Sequence, residues 1–316
     1  MNNNVSIVII TFNREVGLEK TLTYLMKKTE YFEEVILVDN GSTDGTVRMV
    51  RKKFPVVKLI RLHKNSGVAE ARNIGAINAK NNLIFFLDDD GYFDIESIPM
   101  LINQYRKNDK LAVIGCEIIE VPFNDIFALK FRDFKLKKDE IYFTYYFWGT
   151  AFMLRRDYFL KVGMFPDYFF YSNEENDLSL RLLKQDLDIM HCNFSIMFHY
   201  RSSAQRPKYR KTFFYYRNKQ YEIWRNLPIY AAIKESIIVA IGGLIRTIFT
   251  RNFFPFCNGT VLAFIKLPHI IVFERKPLSR KQYKRYIQLR GEEIKIITRI
   301  KKLLLEIKRG DRKIGG

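Results

Sequence analysis

Three consecutive aspartates, Asp88, Asp89 and Asp90, follow the apolar run Leu83–Leu87. Like charges this close repel, so a site that keeps them together commonly holds a cation. Oxygen donors suit Mg²⁺ or Mn²⁺, ions that bridge diphosphates. The apolar run is short and rich in aromatic and branched residues, the pattern of a strand buried on both faces of a parallel sheet. Carboxylates at the carboxyl end of such a strand stand where open α/β sheets bind ligands. The competing reading is a solvated acidic loop.

Three other segments carry polar chemistry at comparable places. Thr11-Phe12-Asn13-Arg14 ends a first apolar strand, and Asp39-Asn40-Gly41-Ser42-Thr43-Asp44-Gly45 ends a second. Asn65-Ser66-Gly67 opens a helix that carries Arg72. Asp39 at a strand end can accept a hydrogen bond from the N3–H of a uracil or thymine ring; it can equally cap the turn that follows. Arg72 is either a helix-surface residue or a fork matched to phosphate oxygens. Further on, Glu174-Glu175-Asn176-Asp177 opens a helix. Acids there suit general-base work on a hydroxyl, and they also suit the positive end of a helix dipole.

Apolar periodicity supplies the elements that must position these residues. Strands are expected at Val5–Ile10, Val35–Val38, Val56–Leu62, Leu83–Leu87, Leu111–Val121, Trp148–Arg155 and Ile189–Phe198. Helices are expected over Glu15–Lys28, from the 41–45 turn through Phe54, from Gly67 through Asn78, and over Ile98–Arg106 and Glu174–Lys184. Repeated βα units imply an α/β fold with a mostly parallel sheet and right-handed crossovers. Every polar segment then falls on one edge of the sheet. Residues 122–147 read as a lysine-rich aromatic loop or small subdomain over that edge.

Taken together and in order, these motifs resemble the inverting family-2 glycosyltransferases of the GT-A fold, of the kind that builds bacterial cell-surface polysaccharides. The resemblance covers about the first 200 residues; Trp148-Gly149-Thr150, Glu174–Leu178 and His199 extend it. It implies transfer of a sugar from a nucleotide-diphosphate donor, UDP- or dTDP-linked, to an acceptor hydroxyl with inversion. It assigns donor contacts to Thr11, Asn13, Arg14, Asp39, Asn40, Gly67, Arg72, Asp88 and Asp89, with Thr11 and Arg72 beside the base and ribose. Asp88 and Asp90 have the family's DxD spacing and would hold Mn²⁺ or Mg²⁺, with His199 as a further ligand. The family's base is an acid in an "E-D" pair; here the pair reads Glu174-Glu175, which puts Glu175 first, Asp177 second, and Glu174 beside them. Trp148, Gly149 and Thr150 would line the acceptor side.

The chain has 316 residues and a net charge of +19. Residues 1–200 hold 26 Lys+Arg against 27 Asp+Glu, and residues 201–316 hold 27 against 7, so all the excess lies in the last third. That step suggests a catalytic domain over 1–210, with a donor half (1–120) and an acceptor half (121–210), and a basic amphipathic helical region over 211–316. The apolar stretches Ile229–Ile248 and Phe253–Phe273 are interrupted by charges or prolines and flanked by Arg and Lys. They suit helices lying in the headgroup plane of an anionic membrane better than a spanning pair. A stripe of Ile296, Ile300, Leu303, Leu304 and Ile307 continues the pattern. A lipid-linked glycan acceptor at the cytoplasmic face of the cell membrane would explain such a tail; a packed helical subdomain or a dimer interface is the alternative.

Three cysteines without a CxxC pair indicate neither a zinc site nor a disulfide framework. A sugar nucleotidyltransferase shares the sheet and the carboxylates, but Thr11–Glu15 lacks the Gly-rich loop it would need. A nucleic-acid binder is disfavoured because the basic tail has no RNP, KH or zinc-finger pattern and interleaves its charges with long aliphatic runs.

Overall fold

The computed structural model describes residues 4–121, 140–200, 208–250 and 252–292. The expected stripe at 296–307, and most of the loop expected over 122–147, lie outside them.

Parallel pairing builds the first half. Strands β1 (Val5–Thr11), β2 (Glu34–Asp39), β3 (Lys58–Arg61) and β4 (Leu83–Asp88) lie in the order β3-β2-β1-β4, all parallel. Helices α1 (Glu15–Leu25), α2 (Thr46–Lys53) and α3 (Val68–Ile77) make the crossovers. The third strand is shorter than its apolar run, because Pro55–Val57 forms a turn that leaves Val56 exposed. Alternate residues of β4 enter two different cores: Ile84 and Phe86 pack beneath α3, while Phe85 and Leu87 face the side of α1. That two-sided burial is why the run carries no polar residue before Asp88.

The second half is mixed. After α4 (Ile98–Lys107) come β6 (Leu111–Val121), β7 (Ile141–Phe143), β8 (Ala151–Arg155), the short α5 (Arg156–Lys161), α6 (Glu174–Leu183) and β9 (Asp188–Tyr200). The order continues β4-β8-β6-β9-β5, where β5 (Gly91–Phe93) is a short strand absent from the sequence expectations. β8 runs antiparallel to both β4 and β6, and β5 and β7 run antiparallel to β9. Among the described strands, six point one way and three the other. The expected strand at Trp148 begins only at Ala151, since Trp148-Gly149-Thr150 turns across the sheet edge.

Four helices follow: α7 (Lys208–Asn226), α8 (Ile229–Thr250), α9 (Phe253–His269), which runs on as a wider turn through Glu274, and α10 over 280–292. α7 packs on both α6 and α9. A Cβ added at Gly259 of α9 would come 2.4 Å from the Phe213 carbonyl oxygen, and one at Gly243 of α8 would meet Phe256 at 2.5 Å. Gly259 lets α9 lie against the backbone of α7, and Gly243 leaves room on α8 for the Phe256 and Tyr216 rings. The boundary expected at residue 210 falls within α7, a helix that packs on α6 as well as on α9.

Candidate active site

Parallel register sets Thr11 beside Asp39 and Ile10 beside Asp88, so the ends of β1, β2 and β4 form one ledge. Beyond Asp88 the chain turns into β5, and β5 pairs with β9 so that Gly91 faces His199. This pairing carries His199 to the acidic run. Asp88, Asp90 and His199 each offer a ligand atom, all within 4.8 Å of one another. His199 Nε2 lies 3.1 Å from Asp90 Oδ1, and Arg14 Nη2 lies 3.3 Å from Asp90 Oδ2. Two carboxylate oxygens and one imidazole nitrogen fit a divalent cation after small side-chain adjustment. The nitrogen favours Mn²⁺ over Mg²⁺, which prefers an all-oxygen shell.

Arg72 organises the carboxylates next to this triad. Its guanidinium donates to Asp88 Oδ1 at 3.3 Å, to Glu174 Oε1 and Glu175 Oε1 at 3.2 Å each, and to the Gly149 carbonyl at 2.6 Å. Phe152 and Phe165 lie within 6 Å of it, at 5.6 and 5.9 Å from ring centroid to guanidinium carbon. One buried fork thus ties strand β4, the 149 turn and the start of α6 together. A lysine could not make four directed contacts at once.

The two glutamates differ in environment. Glu174 is enclosed, and its Oε2 has no hydrogen-bond partner among the described residues. Burial, then the neighbouring charge of Glu175, outweigh Arg72 and push its carboxyl up to about 8, so it is protonated at neutral pH. Glu175 keeps 18% of its side chain exposed. It is the one of the pair that a solvent-borne hydroxyl can reach.

A cleft of about 150 Å³ lies along the ledge, lined by Thr11, Arg14, Asp88, Gly67, Phe170 and Arg210 among others.

Residues 6–163, half of the chain, match the model of Glycosyl transferase family 2. The chain belongs to that family. Among curated proteins it is 28% identical to an uncharacterized glycosyltransferase of Haemophilus influenzae over 57% of this chain and 62% of that one. It is 33% identical to the poly(ribitol-phosphate) beta-N-acetylglucosaminyltransferase TarP of Staphylococcus aureus over 35% of this chain and 36% of that one. The chain thus spans less than two thirds of either relative. Among solved structures, GalNAc-T7 with UDP, GalNAc and Mn²⁺ superposes with a TM-score of 0.60 at 17% identity, over 72% of this chain and 48% of that one. The mannosyltransferase PcManGT from Pyrobaculum calidifontis, in complex with GDP-Man and Mn²⁺, gives 0.53 at 14% identity over 90% and 84%. These likenesses establish the GT-A fold.

In this family 2 chain several residues expected in the site also make contacts within the fold. Asp177 is fully buried. Its carboxylate accepts from Arg181 Nε at 2.8 Å, Arg225 Nη1 at 2.7 Å and Asn226 Nδ2 at 2.8 Å. Despite burial these donors hold its pKa below the usual carboxylate range, so it is a knot between α6 and α7 and not a base. Asp39 is enclosed, and both its oxygens lie within reach of the Ser42 N–H, at 3.2 and 3.3 Å. These contacts cap the turn that follows β2. Asn13, in the left-handed region at φ 52°, accepts from the Thr43 N–H at 2.8 Å and clips the first loop to the second. Asn40 lines the cleft, but its side chain is engaged by Asn65, Ser66 and Gly67. Asp89 faces Thr11, whose hydroxyl donates to it at 2.6 Å; burial and the charge of Asp90 raise its carboxyl to about 7. Arg72 sits among the carboxylates of Asp88, Glu174 and Glu175.

The remaining expected residues lie as follows. Gly67 lines the cleft at φ 92°, and a Cβ there would lie 2.4 Å from the Phe170 carbonyl oxygen. Gly149 leaves the room that Glu175 occupies. Thr150 accepts the Asp88 N–H at 2.9 Å through its carbonyl, and Trp148 is exposed at the turn, edge-on to Tyr146 at 5.4 Å.

Sequence reasoning missed the far wall of the cleft. Phe170, Tyr171, Arg210, Lys211 and Phe214 supply it. Phe170 and Phe214 stack at 5.1 Å with 19° between their planes. Phe170, Ser172 and Asn173 have φ of 34°, 74° and 68°, an unusual run for residues with side chains. Asn218 of α7 holds the segment by donating to the carbonyls of Phe169, Tyr171 and Ser172 at 2.7–2.9 Å. The dense aromatics of Phe213–Tyr216 were the available signal, hidden because the charge step assigned them to the tail.

Proposed function

We propose that this chain transfers a sugar from a nucleotide-diphosphate donor to an acceptor hydroxyl, with inversion and with a bound divalent metal, Mn²⁺ before Mg²⁺. The observation that carries the reading is the Arg72 bridge: it holds Asp88, from the candidate metal triad, and Glu175, the more exposed of the paired glutamates, on one guanidinium. Glu175 takes the acceptor's hydroxyl proton as its oxygen attacks the anomeric carbon, and the bond from that carbon to the nucleotide diphosphate breaks. Asp88, Asp90 and His199 would hold the metal, which would supply positive charge against the departing diphosphate. Arg14, Arg210 and Lys211 add charge along the same cleft. Glu174 stays protonated and, with Arg72, positions Glu175.

UDP or dTDP is the proposed carrier, and the GDP-mannose complex of a fold neighbour makes GDP the competitor. The acceptor is proposed as a glycan, carried on a lipid, at the cytoplasmic face of the cell membrane. The relative named for ribitol-phosphate polymer glycosylation and another named for poly-beta-1,6-N-acetyl-D-glucosamine synthesis support a surface-glycan acceptor. The basic last third supports the membrane location.

The test is thermal stabilisation of the purified chain by UDP, dTDP, GDP and CMP, with and without Mn²⁺. A ligand at about 100 times its dissociation constant adds roughly 2.7 kcal/mol. One diphosphate should stabilise, only with the metal, and Asp90→Asn should abolish the effect. No response to any nucleotide from folded protein would overturn the proposal.

A further inference from the structure

Among the described residues, α8 and α9 bury one face each and leave the other uncovered. On α8 the inner face is Ala231, Ala232, Gly243 and Thr247, and the outer face runs through Ile233, Ile237, Ile241, Ile245 and Ile248. On α9 the inner face is Phe256, Gly259, Ala263 and Leu267, and the outer face carries Phe254, Val261, Ile265 and Val272. The outer residues are not marginal: Phe249 is 82% exposed, Phe254 78% and Ile265 69%. Apolar surface on this scale marks an interaction site, since folded monomers rarely leave it in water.

Charge selects the occupant. The last third carries 27 Lys+Arg against 7 Asp+Glu. Lys234 and Arg246 are exposed on α8 itself, and Lys276, Arg280, Lys281 and Lys284, also exposed, follow α9. Two such surfaces facing each other would repel, whereas an anionic lipid surface would attract both. Long cationic side chains at the edge of an apolar face reach headgroups while their stems stay among the acyl chains.

Packing selects the mode of attachment. Phe253–Glu274 has the length and hydropathy of a spanning helix: it runs 22 residues and contains an 18-residue window of mean hydropathy 1.6. It is nevertheless fastened along its length to the catalytic half. Gly259 lies against the Phe213 backbone, the Lys266 ammonium sits 3.1 Å from the Tyr168 ring centroid, and Glu274 meets Arg225 at 3.1 Å and the Tyr168 hydroxyl. Crossing a bilayer would tear α9 from α7 or draw Arg217, Lys219 and Arg225 into hydrocarbon, which is costly.

We propose that the outer face of α8 and α9 docks in the plane of one leaflet of an anionic bilayer, without spanning it. The docking surface deepens the proposed lipid-linked acceptor and rests on that reading for its purpose, not for its evidence. α7 links the two: its inner residues pack on α9, and its first turn supplies Arg210 and Lys211 to the cleft.

The test is flotation of the full chain with vesicles of phosphatidylcholine alone or mixed with phosphatidylglycerol. Binding should require the anionic lipid, weaken with added salt, and be released by alkaline carbonate. Phe254→Glu and Ile265→Glu should each weaken it about tenfold or more, the loss expected for one large apolar side chain. Both sites are exposed, so melting temperature and nucleotide stabilisation should not change. Ile265→Trp gives a second reading, a blue-shifted emission when anionic vesicles are added. Resistance to carbonate would overturn the proposal in favour of a span. Vesicle-independent dimerisation lost in the Glu variants would overturn it in favour of a second copy. Vesicle binding without any nucleotide response would sink the transferase reading while leaving the docking surface standing.

Discussion

Gly149 and Glu175 share one space: a Cβ on Gly149 would lie 1.8 Å from Glu175 Oε1. The bare Cα of the 149 turn is what lets the glutamate lie over it and reach Arg72. Gly149→Ala should therefore displace the carboxylate. Transfer should fall about 100-fold, as for a misplaced base. Donor affinity, read by nucleotide titration, should stay within about twofold. A matching loss of donor affinity would mean that the turn shapes the donor cleft and not the base.

Glu175→Gln and Glu174→Gln should separate the adjacent acids. Losing a general base costs about 10²–10⁴ in rate, so Glu175→Gln should be nearly inactive. Glu174→Gln mimics an acid that is already protonated and should retain most activity. Reversed results would exchange the roles.

The same pair predicts a pH effect on stability. Folded, Glu174 keeps its proton up to about 8, against an ordinary 4.5. Between those values the native chain binds more protons than the unfolded one, so this contribution is full below the lower value and is lost as pH rises through the upper. Melting temperature of the wild type, relative to Glu174→Gln, should fall between roughly pH 5 and pH 8. A constant difference would mean that Glu174 is ionised beside Arg72.

Chelation should abolish transfer, and Mn²⁺ should restore it at lower concentration than Mg²⁺. His199→Ala should narrow that preference, because it removes the nitrogen donor. Metal titration calorimetry on both proteins provides the check. Unchanged Mn²⁺ affinity in His199→Ala would remove His199 from the ligand set.

Asp177→Ala strands the buried Arg181 and Arg225. A broken buried pair costs about 3–5 kcal/mol, visible in denaturant melts. Asp177→Asn keeps the shape and should stay folded at moderate temperature, with turnover per folded molecule close to wild type. Loss of turnover in folded Asp177→Asn would restore it as a candidate base.

Asn218→Ala removes the amide that binds the Phe169, Tyr171 and Ser172 carbonyls of the 169–172 segment, the first of them in buried surroundings, and an unsatisfied buried group costs about 1–3 kcal/mol. Because Phe170 and Tyr171 wall the cleft, donor affinity should drop together with stability. A stability loss with intact donor affinity would show that the segment holds its shape without α7.

Local pattern was enough to read the strands at 5–10, 35–38 and 83–87, the helices between them and the ledge they make. Buried strands and amphipathic helices write their periods directly into the chain. Asp88, Asp90 and the 174–177 acids were legible because carboxylates at strand and helix ends are conspicuous by type alone. Which acid does what was not. Asp177 and Glu175 lie two residues apart on one helix; only the approach of Arg225 and Asn226 from α7 takes the first, and only the bare Cα of Gly149 makes room for the second. His199 joins Asp90 through a strand pairing 109 residues distant in sequence. The charge step at residue 200 was real in composition but misplaced the boundary, since charge is counted along the chain whereas α7 is held by contacts across it. Sequence by itself determined the sheet, its polar edge and the class of chemistry. Tertiary structure alone decided the surroundings of each acid, the far wall of the cleft and the exposed face of α8 and α9, because each depends on which side chains meet across the fold.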